Sequence, residues 1–545
     1  MALMAKYFPS VTRIKYHPDA GPEDNMVFRH YNPTETVHGR TMEEWLRFSP
    51  CYFNMFRYFG TDDHYGYRTH IRPWDEGYSW TARHYGRASY DMSGKYMDES
   101  TYDVGKMSMS PHYSYVDVGK RSMSPHRDYV DVGKGGMSPP IPLPYVGYED
   151  RKGQSWENGS RSLPNYKRRM QAAFEFFSKL GVRFYSACDR DFAPEGETWD
   201  ETNRMLEETT NIACNLQLQS GMRPLYFAAD LFSHPRYMNG AATNPEFHVF
   251  AYACAQVKRA MDMAKRLQAE NFVFFHPRDG YQNPLQRQIY RDIQHLGHLY
   301  RMAAQYKDKI GYKGHLLIQP KPFDSLRHQY ECDAMSTMQM LRHFGMERTY
   351  KLYIKPAWSR MMGRPYHHDV YMASAFRMLG LVDAADSYPE INGTSDICAS
   401  NVRDATIVMK CYMEQKTGSF KSGMDYGHGG FTLSCRVLRE SFEPCDMFHG
   451  MILTMDTYAC ALKNAARILS DGCFARNLQQ RYISYKSGFG EKLDKGSTSF
   501  EECAEYIRSH GDAQVQSSHQ EQHEQMFNYY VHPSAKKPSG YSGHI

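Results

Sequence analysis

From about residue 166 to 510 the chain alternates short apolar runs with longer segments of helical period. The runs are "RFYSAC", "LYFAAD", "FVFF", "HLLIQ", "KLYIK", "LVDA" and "FTLS", each of strand length and apolar enough to be buried on both faces. Between them lie stretches such as "FHVFAYACAQVKRAMDMAKRLQAE" and "PLQRQIYRDIQHLGHLYRMAAQY", whose apolar residues recur at helical spacing. An earlier run, "MVFRHYN", brings the strands to eight, and "TMEEWLRFSPCYFNMF" after it again has helical spacing. Eight buried strands alternating with helices predict a (β/α)8 barrel, in which any chemistry sits at the C-terminal ends of the strands.

This pattern divides the chain into a start of the barrel at 1–75, an irregular insert at 76–165, the rest of the barrel at 166–470, a helical extension at 471–512 and a polar tail at 513–545. The insert is rich in Tyr, Gly, Ser, Met and Pro and contains "DVGKMSMSPHYSYV", "DVGKRSMSPHRDYV" and "DVGKGGMSPPIPLP", starting 14 residues apart at Asp103, Asp117 and Asp131. Gly and Pro in each copy exclude a helix, and each copy is too short and polar to pack on itself, so the copies are expected to be extended. They form either a flexible loop or a ribbon docked on another subunit; their Tyr and Met favour the ribbon, since these residues are enriched at interfaces. Ser110, Ser124 and Ser138 each precede Pro and are candidate phosphorylation sites.

Composition narrows the partners. Lys plus Arg number 65 against 61 for Asp plus Glu, a formal net charge of +4, which makes no electrostatic case for nucleic acid. No run of about 18 apolar residues is present, so no ordinary membrane span is expected. The twelve cysteines are scattered without a C-x-x-C pair, which reads as reduced thiols in an intracellular, reducing compartment, cytoplasmic, cytoskeletal or mitochondrial.

The run "HLLIQPKP" ends a strand on Gln319, an amide that is neither a base nor an anionic ligand, followed by a Pro-Lys-Pro turn. Together with "LFSHPRYMNGAAT", "DFAPEGETWDETN", "YNPTETVHGRTMEEWLRFS", "QPKPFDSLRHQYECDA" and "MDTYACALKNAARILSDG", it resembles the xylose isomerase family over almost all of the chain except the insert and the tail. The resemblance implies a barrel with a C-terminal extension wrapping a neighbouring subunit. It also implies two divalent cations, such as Mg or Mn, that drive a hydride shift between C1 and C2 of an open-chain sugar. A His–Asp pair would help open the ring and a Lys would polarise a sugar oxygen.

Carried over residue by residue, the implied site is degenerate. The family's Glu-Pro-Lys-Pro stands as Gln319-Pro320-Lys321-Pro322, and the next two ligand positions fall on Lys355 and Trp358. The remaining ligand positions fall on Asp383, Thr394, Asp396 and Ser434, so of the seven only Asp383 and Asp396 keep a carboxylate. The ring-opening His is replaced by Cys188, its partner survives as Asp191, and two tryptophans that wall the sugar pocket become Phe53 and Phe275. The loop after Phe275 reads "HP" in place of Gly-Gly.

Two aspartates do not offset the dehydration of two hard cations. An ammonium at Lys355, about 4 Å from a cation, would be repelled by about 4 kcal/mol at an effective dielectric of 20. The same charge suggests that Lys355, with Lys321, neutralises Asp383 and Asp396 in the old cavity. Cys188 reads as a buried spacer without an activating His, Asp189 and Asp191 as braces for Arg190 or a loop amide, and the adjacent histidines of "YHHD" as structural, since neighbours on a helix diverge by about 100°. The expectation is therefore a pseudoenzyme with no catalytic residues and no cofactor. It would serve as a structural subunit docked to other proteins through the insert and tail, with self-association possible. The alternatives are a metal-free sugar-binding protein and an active aldose–ketose isomerase with a rebuilt site.

Overall fold

Ser49 and Pro50 form β1, the first of eight parallel strands, each bonded to the next in the chain: β2 (Phe184–Cys188), β3 (Arg223–Ala228), β4 (Asn271–Phe274), β5 (His315–Ile318), β6 (Tyr350–Ile354), β7 (Leu379–Asp383) and β8 (Phe431–Leu433). β8 returns to β1 through Thr432 opposite Ser49, and a parallel bridge between Cys51 and Ser186 joins β1 to β2, closing the sheet into a barrel. The Ser49 and Ser186 hydroxyls, 2.7 Å apart, seal that seam. This is a computed structural model, and it describes residues 6–56, 155–322, 326–389, 394–417, 429–437, 441 and 443–532. The three repeats and the three Ser-Pro sites lie outside the described residues, as do residues 533–545 of the tail.

The strands are apolar on both sides because they separate two cores. Phe184, Leu225, Val273, Leu317, Tyr353 and Leu381 point inward and fill the barrel. Their strand neighbours, such as Phe272 and Phe274 around Val273 and Leu316 and Ile318 around Leu317, face the surrounding helices. Leu317 and Val273 are each 1% exposed, and a fully buried side chain of this size contributes roughly 1.5–3 kcal/mol. The helices Leu163–Leu180, Trp199–Ser220, Phe247–Arg266 and Ile289–Ile310 follow the insert and strands β2 to β4, and Pro444–Asp471 follows β8.

The first strand is not the one the hydrophobic pattern indicated. "MVFRHYN" yields only Val27–Phe28, paired in parallel with Lys15–Tyr16 outside the barrel. β1 instead lies within the stretch that reads as one long helix. There Thr41 opens a short helix, Met42–Leu46, with a capping box to Glu44, and Arg47 ends it in the left-handed region at φ 43°. Pro50 lacks the amide a continuous helix would use, and a second helix begins only at Tyr52. Apolar spacing on either side of the break mimics one period.

The extension after Asp471 packs loosely on this body. Its helices Cys473–Arg481, Gly488–Asp494 and Phe500–His510 bury no residue, and Gln520–Val531 buries only Tyr530. Among the described residues, no helix is long and apolar enough to cross a membrane, and all twelve cysteines are free thiols.

Candidate functional site

Residues at or just past the C-terminal ends of the strands, with Asp396 from the strand Thr394–Ile397 that follows β7, gather at one mouth of the barrel. Beyond the C-terminal ends of the strands lies a cavity of about 110 Å³, lined by the rings of Phe53, Phe232, Phe275 and Trp358 and by the polar groups of Gln319, Lys321, Lys355, Asp396, Ser434 and Arg436. A single water takes roughly 10–15 Å³ by this measure, so the room is that of about seven to eleven waters, comparable with a small sugar.

The rings form a chain of contacts. Phe275 stacks on Trp358 at 6.0 Å and 8°, Phe232 meets Phe275 edge-on at 5.3 Å, and Phe53 meets Phe232 edge-on at 5.9 Å. Phe275 stands one residue past β4 and Phe232 in the loop after β3, while Phe53 and Trp358 stand on the short helices Tyr52–Phe56 and Pro356–Met361 that follow β1 and β6.

The polar groups are organised around Asp396. Lys355, one residue past β6, donates to Asp396 Oδ1 at 2.6 Å and to Ser434 Oγ at 2.8 Å. Arg436 pairs with Asp396 Oδ2, and its amide donates to the Asp396 carbonyl at 2.9 Å. These groups are buried: Lys355 is 4% exposed, Asp396 8% and Arg436 9%. Lys321 reaches the same wall from β5, with Nζ 5.5 Å from the Phe275 ring and 5.7 Å from Trp358, while Lys355 Nζ lies 5.4 Å from Trp358. The turn that carries Lys321 is held by its amide donating to the Glu331 carbonyl at 2.8 Å.

Other residues singled out from the sequence lie beneath or beside the cavity. Asp383 accepts the Tyr353 hydroxyl at 2.6 Å and the Ala385 amide at 2.9 Å, so it faces the barrel interior rather than Lys355 or Lys321. Cys188 lines the cavity, and its amide donates to Asp191 at 2.8 Å in a helix-capping arrangement. Asp189 accepts the amides of Arg190 and Asp230 at 2.8 and 2.9 Å and the Gln256 side chain at 2.8 Å. Thr394 opens the strand Thr394–Ile397 that carries Asp396. The histidines of "YHHD" sit at the start of the helix His368–Ala375, away from the cavity.

Sequence reasoning missed several lining residues. Arg436 follows Ser434 by two positions just past the end of β8, so alternation places both on one side; that signal was present in "FTLSCR". Asn54, Tyr226 and Tyr353 had no comparable mark. Tyr226 contacts Cys51 at 3.4 Å, and burial pushes the Cys51 thiol up to about 12, leaving it unreactive. The His276 of "HP" turns away from the cavity, with Nδ1 3.1 Å from the Tyr300 hydroxyl and 3.5 Å from Glu331. Burial works to lower its pKa, yet the bond to Glu331 and the charges of Asp279 and Glu331 outweigh burial and hold it above the ordinary value.

A closed parallel (β/α)8 barrel with a mixed aromatic and charged cavity at its C-terminal mouth belongs to the architecture of barrel enzymes. A family model described as "XylA2 C-terminal domain" matches residues 478–531. Xylose isomerase of Arabidopsis thaliana is 32% identical over 523 residues, covering 96% of this chain and 90% of that protein. Xylose isomerase of Escherichia fergusonii is 32% identical over 97% of this chain and 99% of that protein, and that of Rhodopirellula baltica 33% over 96% and 99%. The chain belongs to the xylose isomerase family.

These relatives overturn two expectations drawn from the degenerate ligand positions. The non-enzyme reading is corrected: relatives named as isomerases match nearly the whole chain, and they point to an isomerase. Residue changes at the positions that the resemblance implies as ligands do not by themselves remove binding or turnover. The expectation of no cofactor is corrected with it, because divalent cations are the family's rule. The local donor set at the two retained aspartates is nevertheless a poor fit for such an ion. Both oxygens of Asp396 are engaged by Lys355 and Arg436, and those of Asp383 by Tyr353 and the Ala385 amide.

Proposed function

We propose that the chain is a sugar isomerase that binds a monosaccharide at the barrel mouth and interconverts its aldose and ketose forms. The observation that carries this reading is a cavity lined by both aromatic rings and hydrogen-bonding side chains. A sugar ring or chain offers apolar C–H faces that pack on Phe53, Phe232, Phe275 and Trp358. Its hydroxyls need the hydrogen-bonding groups that stand among these rings, since a buried hydroxyl without a partner is costly. In this reading Lys321, which lines the cavity, polarises a carbonyl oxygen, and Lys355, Asp396 and Ser434 form polar surface in the same cavity. Incubation with aldopentoses and aldohexoses, with and without added Mg or Mn, and chromatography of the products tests the reading. Ketose above the no-protein blank is expected, with Lys321→Met lowering the rate by roughly a hundredfold or more. Binding without any ketose would reduce the proposal to sugar binding.

We also propose that the extension is an assembly surface, as supported by its exposed apolar residues. Leu478, Ile483, Phe500, Ile507 and Val515 are all more than half exposed, a density unusual for a solvated face. A second copy of the chain, or another subunit, would cover them. Native mass measured over a range of concentrations is expected to exceed one copy, and Leu478→Asp with Phe500→Asp should shift it towards one. A mass of one copy for the unaltered chain would remove this reading.

A further inference from the structure

Two loops at the barrel mouth are tied to each other twice. The loop after β4 carries Phe275 and His276, and the loop after β5 carries Lys321 and, further on, Glu331. Tyr281 pairs with His328 and Gly280 with Gln329 in a short antiparallel ribbon, the Tyr330 amide donates to the Asp279 carbonyl at 3.2 Å, and the Gln329 side chain donates to the Pro277 carbonyl. This is the first tie.

The second is a buried cluster. The Tyr300 hydroxyl, from the helix Ile289–Ile310, donates to Glu331 Oε1, and His276 Nδ1 lies 3.1 Å from that hydroxyl and 3.5 Å from Glu331 Oε2. The Tyr300 proton is committed to Glu331, so the His276 Nδ1–H donates towards both oxygens. His276 and Glu331 are each 5% exposed and Tyr300 is fully buried, so water screens the pair little. The titratable groups facing His276 are Glu331 from the second loop, Asp279 from its own turn and Tyr300 from the helix, with the Tyr350 ring of β6 against Tyr300 at 5.2 Å.

Both ends of the cluster reach the cavity, although His276, Glu331 and Tyr300 do not line it. His276 directly follows Phe275, which stacks on Trp358, and the Glu331 carbonyl accepts the Lys321 amide at 2.8 Å. Lys321 Nζ in turn lies 5.5 Å from the Phe275 ring. A ring and an ammonium on the cavity wall are therefore spaced by a pair that stands behind them.

Resting on the reading that the cavity holds a sugar, we infer that His276 and Glu331 are positioning residues for it: their ion pair keeps the Phe275 loop and the Lys321 turn in register, and so fixes the ring and the ammonium that the sugar meets. The sign of the pH dependence follows. Burial disfavours a charged His276, but the bond to Glu331 and the charges of Asp279 and Glu331 outweigh it. The pair is thus present below the ordinary histidine value and lost as pH rises through the raised one.

A pH series on the full chain tests this. The indole N–H resonance of Trp358, identified by its loss in Trp358→Phe, reports the stack on Phe275 without any ligand. It is expected to shift in one step between about pH 5.5 and about pH 9, and to stay flat in His276→Gln, which keeps a donor for Glu331 but does not titrate. In Glu331→Gln the step should move to lower pH, because burial then meets less opposition; should His276→Gln not fold, this variant decides. Ketose formation from xylose and glucose, as kcat/KM, should fall roughly tenfold across the same step in the parent and lack that step in His276→Gln. An indole signal that titrates alike in parent and variants, or in none, would overturn the inference. A pH profile of turnover unchanged by His276→Gln would also overturn it, leaving the cluster a structural brace. An indole step with no sugar bound or converted would keep the link between cluster and cavity and overturn the sugar reading instead.

Discussion

Replacing Asp396 by Asn is expected to lower the stability of the fold by about 3–5 kcal/mol, the usual cost of removing one partner from a buried ion pair. The reason lies in what remains. Lys355 and Arg436 would keep their charges at 4% and 9% exposure, and the Asn side chain cannot offset two cations. Denaturant titration should show the loss as a lower midpoint at unchanged slope. Combining Asp396→Asn with Lys355→Met should cost less than the sum of the two single changes, because the second removes one of the stranded cations. Strict additivity would show that the pair does not interact in solution. Asp383→Asn is a useful contrast. Its partners are a hydroxyl and an amide, both neutral, so less should be lost.

The second large effect is expected far from the cavity. Arg169, on the helix Leu163–Leu180, donates to Glu157 through Nε at 2.5 Å and Nη2 at 3.0 Å, and the two side chains are 2% and 3% exposed. Glu157 also accepts from Asn165 at 2.8 Å and the Gly159 amide at 2.7 Å. The pair anchors the segment that leads into the barrel after the insert. Arg169→Met should leave Glu157 as a buried uncompensated anion and cost about 3–5 kcal/mol. Hydrogen exchange would place that loss first in residues 155–180. A stability within about 0.5 kcal/mol of the parent, the ordinary range for surface changes, would mean that the fork is not formed in solution.

The two sites illustrate different kinds of pairing. At Arg169 the planar guanidinium meets one carboxylate in a fork, which holds two chain segments together. At Asp396 one carboxylate meets two cations beside open volume, so the cluster is both a brace and a surface offered to a ligand. This explains why stability and binding are expected to respond together to changes at Lys355, whereas Arg169 should affect folding alone.

The sequence by itself determined the barrel and most of its strands, because a strand buried on both faces must be apolar on both, and seven such runs stand between helical stretches. It also determined the family. Tertiary structure decided the rest. β1 was hidden because two residues broken out by Arg47 and Pro50 leave no periodic trace, and only their pairing with β8 and β2 makes them a strand. The pairing of Lys355 was half legible: the sequence offered both Asp383 and Asp396, and the fold chose the second. Asp383 and Asp396 look equivalent as aspartates near strand ends, yet Tyr353 and the Ala385 amide turn the first inward, while the second meets Lys355 and an arginine from the end of β8. Residues separated by 40 positions or more come together there, and charge pairing in a cavity depends on distances that no spacing along the chain encodes.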